Sequence, residues 1–379
     1  MPTTITKITI IPQRASWDRY ANFLKEKAIK LSSLPHKAQV AIKDPKYAIR
    51  FLGTKFLESR WNELLVLANW GLGSLTNKRG NLPPISDCSL NDSTQVTEFW
   101  GRHTVITPQL SLMRTEGQDK AFIEWRAKEY SFFHELMGLW GDHNGEVVLD
   151  YGCGPGTDLV GFLLYGNAKK VIGIDVSLKA LEFASRRMSL HNIDMHRVEL
   201  IRVSDSQPSI PLVNNSVDFI YSQGVLHHTS HPEDILKELC RVLKSGKQAS
   251  IMVYNKQSAW YHLYVAYYEM VFLNRFKGMT VAEAFAKTTD SVDCPISRCY
   301  EPEEFIKLCE QAGFKAEFKG GYYSQLELQT LTHYKSEAIA DTSLSMEHRD
   351  FLLGLSKNKY PQYNGKYAGI GGVYILEKS

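Results

Sequence analysis

The segment Asp150-Tyr151-Gly152-Cys153-Gly154-Pro155-Gly156-Thr157-Asp158 carries the densest chemistry in the chain. A β-branched apolar run precedes it and a helical stretch comes after it. Glycines in such a turn accept positive φ and let the backbone approach a ligand closely. In an open α/β sheet, ligands bind at the carboxyl ends of strands where the strand order reverses. A nucleotide-like ligand is therefore expected against Gly152, Cys153, Gly154 and Gly156. The dinucleotide fingerprint G-x-G-x-x-G would place its third glycine at Thr157, one position later than the Gly156 found here. Pro155 also removes an N–H donor from any pyrophosphate cradle. The turn lacks a subsequent Gly-Lys-Ser/Thr, so it is not a P-loop. The carboxylate of Asp150 suits a cation and would suit a pyrophosphate poorly.

Other side chains fall where they could complete a site. Asp175 ends the next strand, where an acid can accept both hydroxyls of a ribose. Capping of the next helix is the alternative, and Ser177 fits that role as well. Val176 is adjacent, and Ser204-Asp205 closes the third strand. A fourth strand ends at Gln223, with His227 and His228 just beyond it. These two are the general-base candidates, with packing around a ligand as the alternative role. Tyr254, Tyr261, His262 and Tyr264 either line an acceptor pocket or join Trp260, Tyr267 and Tyr268 in an aromatic packing face. Arg298, near Tyr300, would suit a carboxylate or phosphate on the acceptor unless it is a surface residue. A helix expected over residues 118–140 puts Phe122, Arg126 and Tyr130 at i, i+4 and i+8. That face is either core or a lid that meets a ligand carboxylate with Arg126 or Tyr130.

The pattern D-x-G-x-G-x-G between strand and helix resembles motif I of the class I methyltransferases that use S-adenosylmethionine (SAM). The stretch 217–229 (VDFIYSQGVLHHT) is similar to the fourth-strand motif of the ubiquinone- and menaquinone-type small-molecule enzymes. The stretch 236–255 is similar to the next helix, turn and fifth strand of that group. The resemblance covers residues 150–255 well and 300–320 loosely. It implies SAM as cofactor and S-adenosylhomocysteine as product. It further implies that Asp150 helps hold the SAM ammonium, that Asp175 takes the ribose, and that Ser204-Asp205 lies beside the adenine. Ser222-Gln223-Gly224-Val225 replaces the Asn/Asp-Pro-Pro-Tyr motif of amino-methylating DNA enzymes, so that activity is not expected.

The elements that must position these residues are set by periodicity. Short apolar runs at 146–152, 170–176, 198–205, 217–223, 249–255, 314–320 and 371–378 read as strands. Helical stretches alternate with the first five, which predicts a parallel sheet with right-handed crossovers and helices on both faces. With the last two strands closing one edge, this is the seven-stranded Rossmann-like methyltransferase sheet, an α/β fold. The domain expected over 116–379 carries two insertions, 256–300 and 321–370, long enough to hold helices and to cap an acceptor site. Residues 1–115 read as a helical N-terminal region, including a helix opened by Asp44-Pro45, with a polar loop near 77–97.

Composition excludes several classes of function. The 379 residues carry a net charge of only +3, and the basic residues are dispersed, so no nucleic-acid partner is expected. No apolar run reaches the roughly 18 residues of a membrane span, and the N-terminus does not read as a secretory signal. The six cysteines form no C-x-x-C pair. They read as reduced thiols of a cytoplasmic protein, and no metal is expected. Cys294 and Cys299 would form a site with His262 only if the fold brought the three together. The expected partner is a small-molecule acceptor. An NAD(P) oxidoreductase and a non-catalytic SAM-binding module are the alternatives.

Overall fold

The computed structural model describes residues 82–89, 94–103, 105 and 114–378. The helix expected from Asp44 lies outside these residues. The described elements begin with β1 (Ile85–Asp87), α1 (Gln95–Arg102), α2 (Glu116–Glu129), β2 (Tyr130–Ser131) and α3 (Phe133–Met137). Next come β3 (Val147–Tyr151), α4 (Thr157–Leu164), β4 (Lys170–Asp175), α5 (Leu178–Leu190), β5 (Val198–Arg202) and β6 (Val217–Gln223). After these stand α6 (Pro232–Val242), β7 (Leu243–Tyr254), a wide helix α7 (Trp260–Phe272), α8 (Val281–Thr289) and α9 (Pro302–Gln311). The rest is β8 (Phe314–Ser324), α10 (Gln325–Ala340), α11 (Met346–Gly354), the short pair β9 (Gln362–Tyr363) and β10 (Lys366–Tyr367), and β11 (Gly371–Lys378).

One sheet runs in the order β1-β5-β4-β3-β6-β7-β11-β8-β2. The strands from β1 to β7 pair in parallel, while β11 pairs antiparallel with both β7 and β8. All seven expected strands are present, and β1 and β2 extend the two edges. The order reverses beside β3, because the chain moves outward through β4 and β5 and then returns to β6 on the other side. A crevice is expected at that point. It opens beyond Tyr151 and Gln223, next to the glycine turn.

Strand residues alternate between two cores, as a two-residue period requires. Leu149, Ile172, Ile201, Ile220 and Ile251 face Leu236 and Leu239 of α6 and Phe305 of α9. Val148, Val171, Leu200, Tyr221 and Met252 face Leu159 and Phe162 of α4, Leu181 and Ala184 of α5, and Phe133 of α3. Each such side chain contributes roughly 1.5–3 kcal/mol by leaving water.

The helix expected over 118–140 is broken. α2 opens on a capping box formed by Thr115 and Gln118, and it stops at Glu129. Tyr130 and Ser131 instead pair with Ser324 and Tyr323 of β8. Phe132 has a φ of 69°, and its ring stacks on Tyr367 at 4.1 Å. The sheet edge supplies hydrogen bonds and a ring contact that outweigh helix propensity here. Tyr130 is therefore not two turns beyond Phe122 on one helical face.

Both long insertions carry helices. In α7 the backbone bonds span five residues, as in Leu273 N–H to Tyr268 O at 3.0 Å. This is the rare π geometry. α7 contacts α8, α10 and α11. Glu327, in the first turn of α10, accepts bonds from Ser324 and from the amide of Ile370. Burial raises its carboxyl to about 8. Among the described residues, no helix is long and apolar enough to cross a membrane.

Candidate active site

The glycine turn is built from three glycines with positive φ: 78° at Gly152, 53° at Gly154 and 76° at Gly156. They do different work. A Cβ on Gly152 would stand 2.1 Å from a methyl of Val225, and one on Gly156 would stand 2.8 Å from the Cβ of Ala184 in α5. Those two glycines let protein parts approach each other. A Cβ on Gly154 would meet nothing within 4 Å, because it points into an open cavity that Gly154 lines.

Asp175 lies on the same wall. Its carboxylate accepts the amides of Gly154 and Ser177, each at 2.8 Å. Burial raises its pKa, and those two amides oppose the rise. Ser177, not Asp175, caps α5, accepting the amide of Ala180. Val176, Asp205, Gln223 and His228 line the cavity too. Asp205 accepts the amide of Ser230 at 3.0 Å and its hydroxyl at 2.5 Å. Ser204 hydrogen-bonds Ser206 instead of lining the cavity. Cys153 also departs from expectation. Its side chain joins the core, and its amide is used by the carbonyl of Ile174 at 2.9 Å.

Behind the turn lies a buried set of charges. Arg126 donates to Asp158 at 2.5 Å and to the amide oxygen of Gln223. Burial pushes the Asp150 carboxyl well above its ordinary range. Asp158 adds to the rise, and Arg126 opposes it. With one arginine among Asp150, Asp158 and Asp175, the site holds an excess of acid. Phe122 is not part of it. Its ring faces Trp125 and the guanidinium of Arg187. Tyr130 packs on Tyr322 at 5.6 Å and does not line the cavity.

Arg187 itself is buried and bonds Asp119, the carbonyl of Pro155 at 3.0 Å and the hydroxyl of Thr157 at 2.6 Å. His191 also meets Asp119, at 2.7 Å. This network ties α2 and α5 to the glycine turn. In the sequence, Arg187 reads as one of a dispersed basic pair. A signal was present, since it shares a helical face with Ala180, Ala184 and His191 at i, i+4, i+7 and i+11.

The cover over the cavity also differs from expectation. α1 supplies Val96 and Trp100, while α2 supplies no wall residue. The signal for α1 was Thr94 as N-cap before Val96, Phe99 and Trp100 at i, i+3 and i+4.

The structure separates the two histidines. His227 is fully buried, its ring lies 3.8 Å from Tyr254, and neither nitrogen has a hydrogen-bond partner. Burial, then the neighbouring His228, holds its pKa well below the ordinary value. His228 reaches the cavity, with Trp100 at 4.9 Å. Burial lowers its pKa, and Asp290 opposes the shift.

None of the residues expected in the acceptor pocket lines the cavity. His262 is paired with His348 at 2.8 Å and stacked on Phe351, where α7 packs on α11, and burial lowers its pKa to about 3. Tyr261 is buried beside the same pair. Tyr300 packs on Phe305 within the sheet core. Arg298 is neither free on the surface nor aimed at the cavity. Its side chain donates to the carbonyl of Thr229 at 2.6 Å, and its amide donates to that of His227. Tyr254 stands behind His227 and donates to Asp290 at 2.7 Å. Cys294 lies 3.9 Å from His228, not beside His262.

Residues 142–298 match a family model described as a methyltransferase domain. Malonyl-acyl-carrier-protein O-methyltransferase of a Marinomonas species is 30% identical over 38% of this chain and 53% of its own length. Demethylmenaquinone methyltransferase of Listeria welshimeri is 27% identical over 44% and 67% respectively. A SAM-dependent methyltransferase structure from Aquifex aeolicus is 23% identical, covering 55% of this chain and 93% of that one, with a TM-score of 0.38. Residues 142–298 thus resemble a methyltransferase domain, and these relatives are themselves named methyltransferases. The chain spans between 28% and 53% of the length of the first curated relatives it matches.

Proposed function

We propose that this chain transfers a methyl group from SAM to a small-molecule acceptor held between the glycine turn and His228. The observation that carries the reading is the sorting of the three glycines. Gly152 and Gly156 are required by protein contacts, while Gly154 leaves its Cβ direction open to a cavity walled by Asp175. A cradle of this kind fits a ligand that lies flat against the backbone. The donor set fits SAM: an acid for the ribose at Asp175, excess buried acid at Asp150 for the ammonium, and Asp205 for the adenine amine. Arg126 stands next to Gln223, where it can offset the SAM carboxylate while retaining Asp158. Val176 would pack on the ribose side.

SAM, when bound, supplies a methyl group already activated on a sulfonium. The chain has to orient the acceptor in line with it and exclude water, and orientation supplies much of the rate. Val96 and Trp100 are placed to exclude water. Of the two histidines, only His228 can reach an acceptor, so a proton leaving the acceptor has His228 and not His227 within reach. The demethylmenaquinone relative supports a small acceptor. The six unpaired cysteines support a cytoplasmic setting.

Calorimetry tests the reading. SAM should bind with micromolar affinity, about −8 kcal/mol, and NAD should give no heat. Gly154→Val should abolish SAM binding in a folded protein. Tight NAD binding without SAM binding overturns the proposal, as does unchanged SAM affinity in Gly154→Val.

A further inference from the structure

Next to the cavity, His228 and Asp290 meet in an arrangement that hydrogen bonding alone does not complete. Nδ1 of His228 lies 2.7 Å from the carbonyl oxygen of Ile296. A carbonyl only accepts, so Nδ1 carries the proton and Nε2 presents a lone pair. That lone pair lies 3.5 Å from Oδ1 of Asp290. Asp290 is itself held in place, since Tyr254 donates to Oδ1 and Ser297 donates to Oδ2, both at 2.7 Å. Two electron-rich atoms thus face each other across a gap. Cys294 adds a sulfur 3.9 Å from Nδ1 of His228 and 3.3 Å from the carbonyl oxygen of Ile296, and one donor atom from each of the three residues lies within 4.8 Å of the others.

We propose that His228, Asp290 and Cys294 bind one divalent transition-metal ion of the zinc type on the acceptor side of the cavity. The donor set of one imidazole, one carboxylate and one thiol suits zinc, which takes nitrogen, sulfur and carboxylate oxygen at short distances. The supporting groups are those of a metal site. A ligating imidazole commonly donates its other N–H to a backbone carbonyl, as His228 does to Ile296, and ligating carboxylates are themselves hydrogen-bonded, as Asp290 is. Cys294 is half-buried, so its thiol is shielded without being sealed off. Three protein ligands leave a fourth position open, the pattern of a catalytic rather than a structural zinc.

Of the three, His228 is the one that lines the cavity, so the metal would lie beside the acceptor. This part of the inference rests on the methyl-transfer reading and names its substrate class, an acceptor bearing a hydroxyl or thiol. With its lone pair on the metal, His228 would no longer take the acceptor's proton; the acceptor heteroatom would become the fourth ligand and give its proton to solvent, since the cation stabilises the anion that remains. That heteroatom then forms a bond to the methyl carbon as the carbon–sulfur bond of the sulfonium breaks. The electron pair of that bond stays on the sulfur, which leaves neutral.

The test uses the purified full chain, stripped with a chelator and dialysed, then titrated with Zn²⁺ by calorimetry. One equivalent should bind, and Cys294→Ser and Asp290→Asn, both near-isosteric, should each weaken it by roughly tenfold or more. Cys88→Ser, at an exposed thiol, should leave it unchanged. Co²⁺ should give a thiolate charge-transfer absorption that Cys294→Ser removes. The proposal is overturned if no equivalent binds, or if Cys88→Ser abolishes binding while Cys294→Ser does not. SAM titration of the same metal-free samples keeps the two readings apart. Intact SAM binding without zinc binding sinks only the metal site, whereas absent SAM binding sinks the methyl-transfer reading.

Discussion

Asp150→Asn should weaken SAM binding while leaving the free protein at least as stable. Asp150 is almost fully buried, and its carboxyl is held well above the ordinary range by burial and by the neighbouring Asp158, with Arg126 opposing. Without ligand, a charge at Asp150 is therefore costly. An isosteric neutral amide removes that cost, and Arg126 keeps Asp158 as its partner. With ligand, the carboxylate would meet the SAM ammonium, and a hydrogen bond to a charged group contributes about 1.5–3 kcal/mol. That corresponds to roughly a ten- to hundredfold rise in Kd. The raised pKa sets the pH dependence. The free protein loses stability as pH rises through the folded-state pKa of Asp150, because the unfolded chain ionises there more easily. SAM binds the ionised form, so its affinity should rise with pH over the same window and binding should release a proton. Calorimetry in two buffers of different ionisation enthalpy counts that proton, and Asp150→Asn should abolish it. Parent-like affinity in Asp150→Asn, or a proton count unaffected by it, would refute the role assigned to this carboxylate.

Two further substitutions probe the frame. Asp175→Ala should weaken SAM by about 1.5–3 kcal/mol and also lower the melting temperature without ligand, because the amides of Gly154 and Ser177 lose their acceptor; calorimetry and thermal unfolding on one preparation separate the two effects, and intact SAM affinity would rule out ribose contact. Arg187→Met should cost about 3–5 kcal/mol of stability, since it leaves Asp119 buried without its arginine; a urea midpoint close to that of the parent would show that the network does not support the glycine turn.

The features legible in the sequence were local. The seven strands are readable from two-residue alternation and turn residues, and the glycine turn from its position between a strand and a helix. Asp175 and His228 could be singled out because each lies at or just past a strand end, and in a parallel sheet strand ends converge on one edge. Ser177 could be read as a cap because a cap acts within three residues. The helix break at Tyr130 was not legible, because its cause is β8, far along the chain. Nor was the split between His227 and His228. Adjacent residues of one type look alike in sequence, and only packing against Tyr254 or Trp100 tells them apart.

The sequence by itself determined the fold class, the placement of the glycine turn at a strand end, and the kind of ligand such a turn accepts. These depend on backbone periodicity and on glycine's freedom at positive φ, which are properties of short segments. The tertiary structure alone decided which helix covers the cavity, that His262 and Tyr300 serve the core, and that Asp290 and Cys294 come to His228. Those outcomes depend on contacts between residues many tens of positions apart. Such contacts are chosen by how whole elements fill space and satisfy buried polar groups, and no short stretch of sequence carries that information.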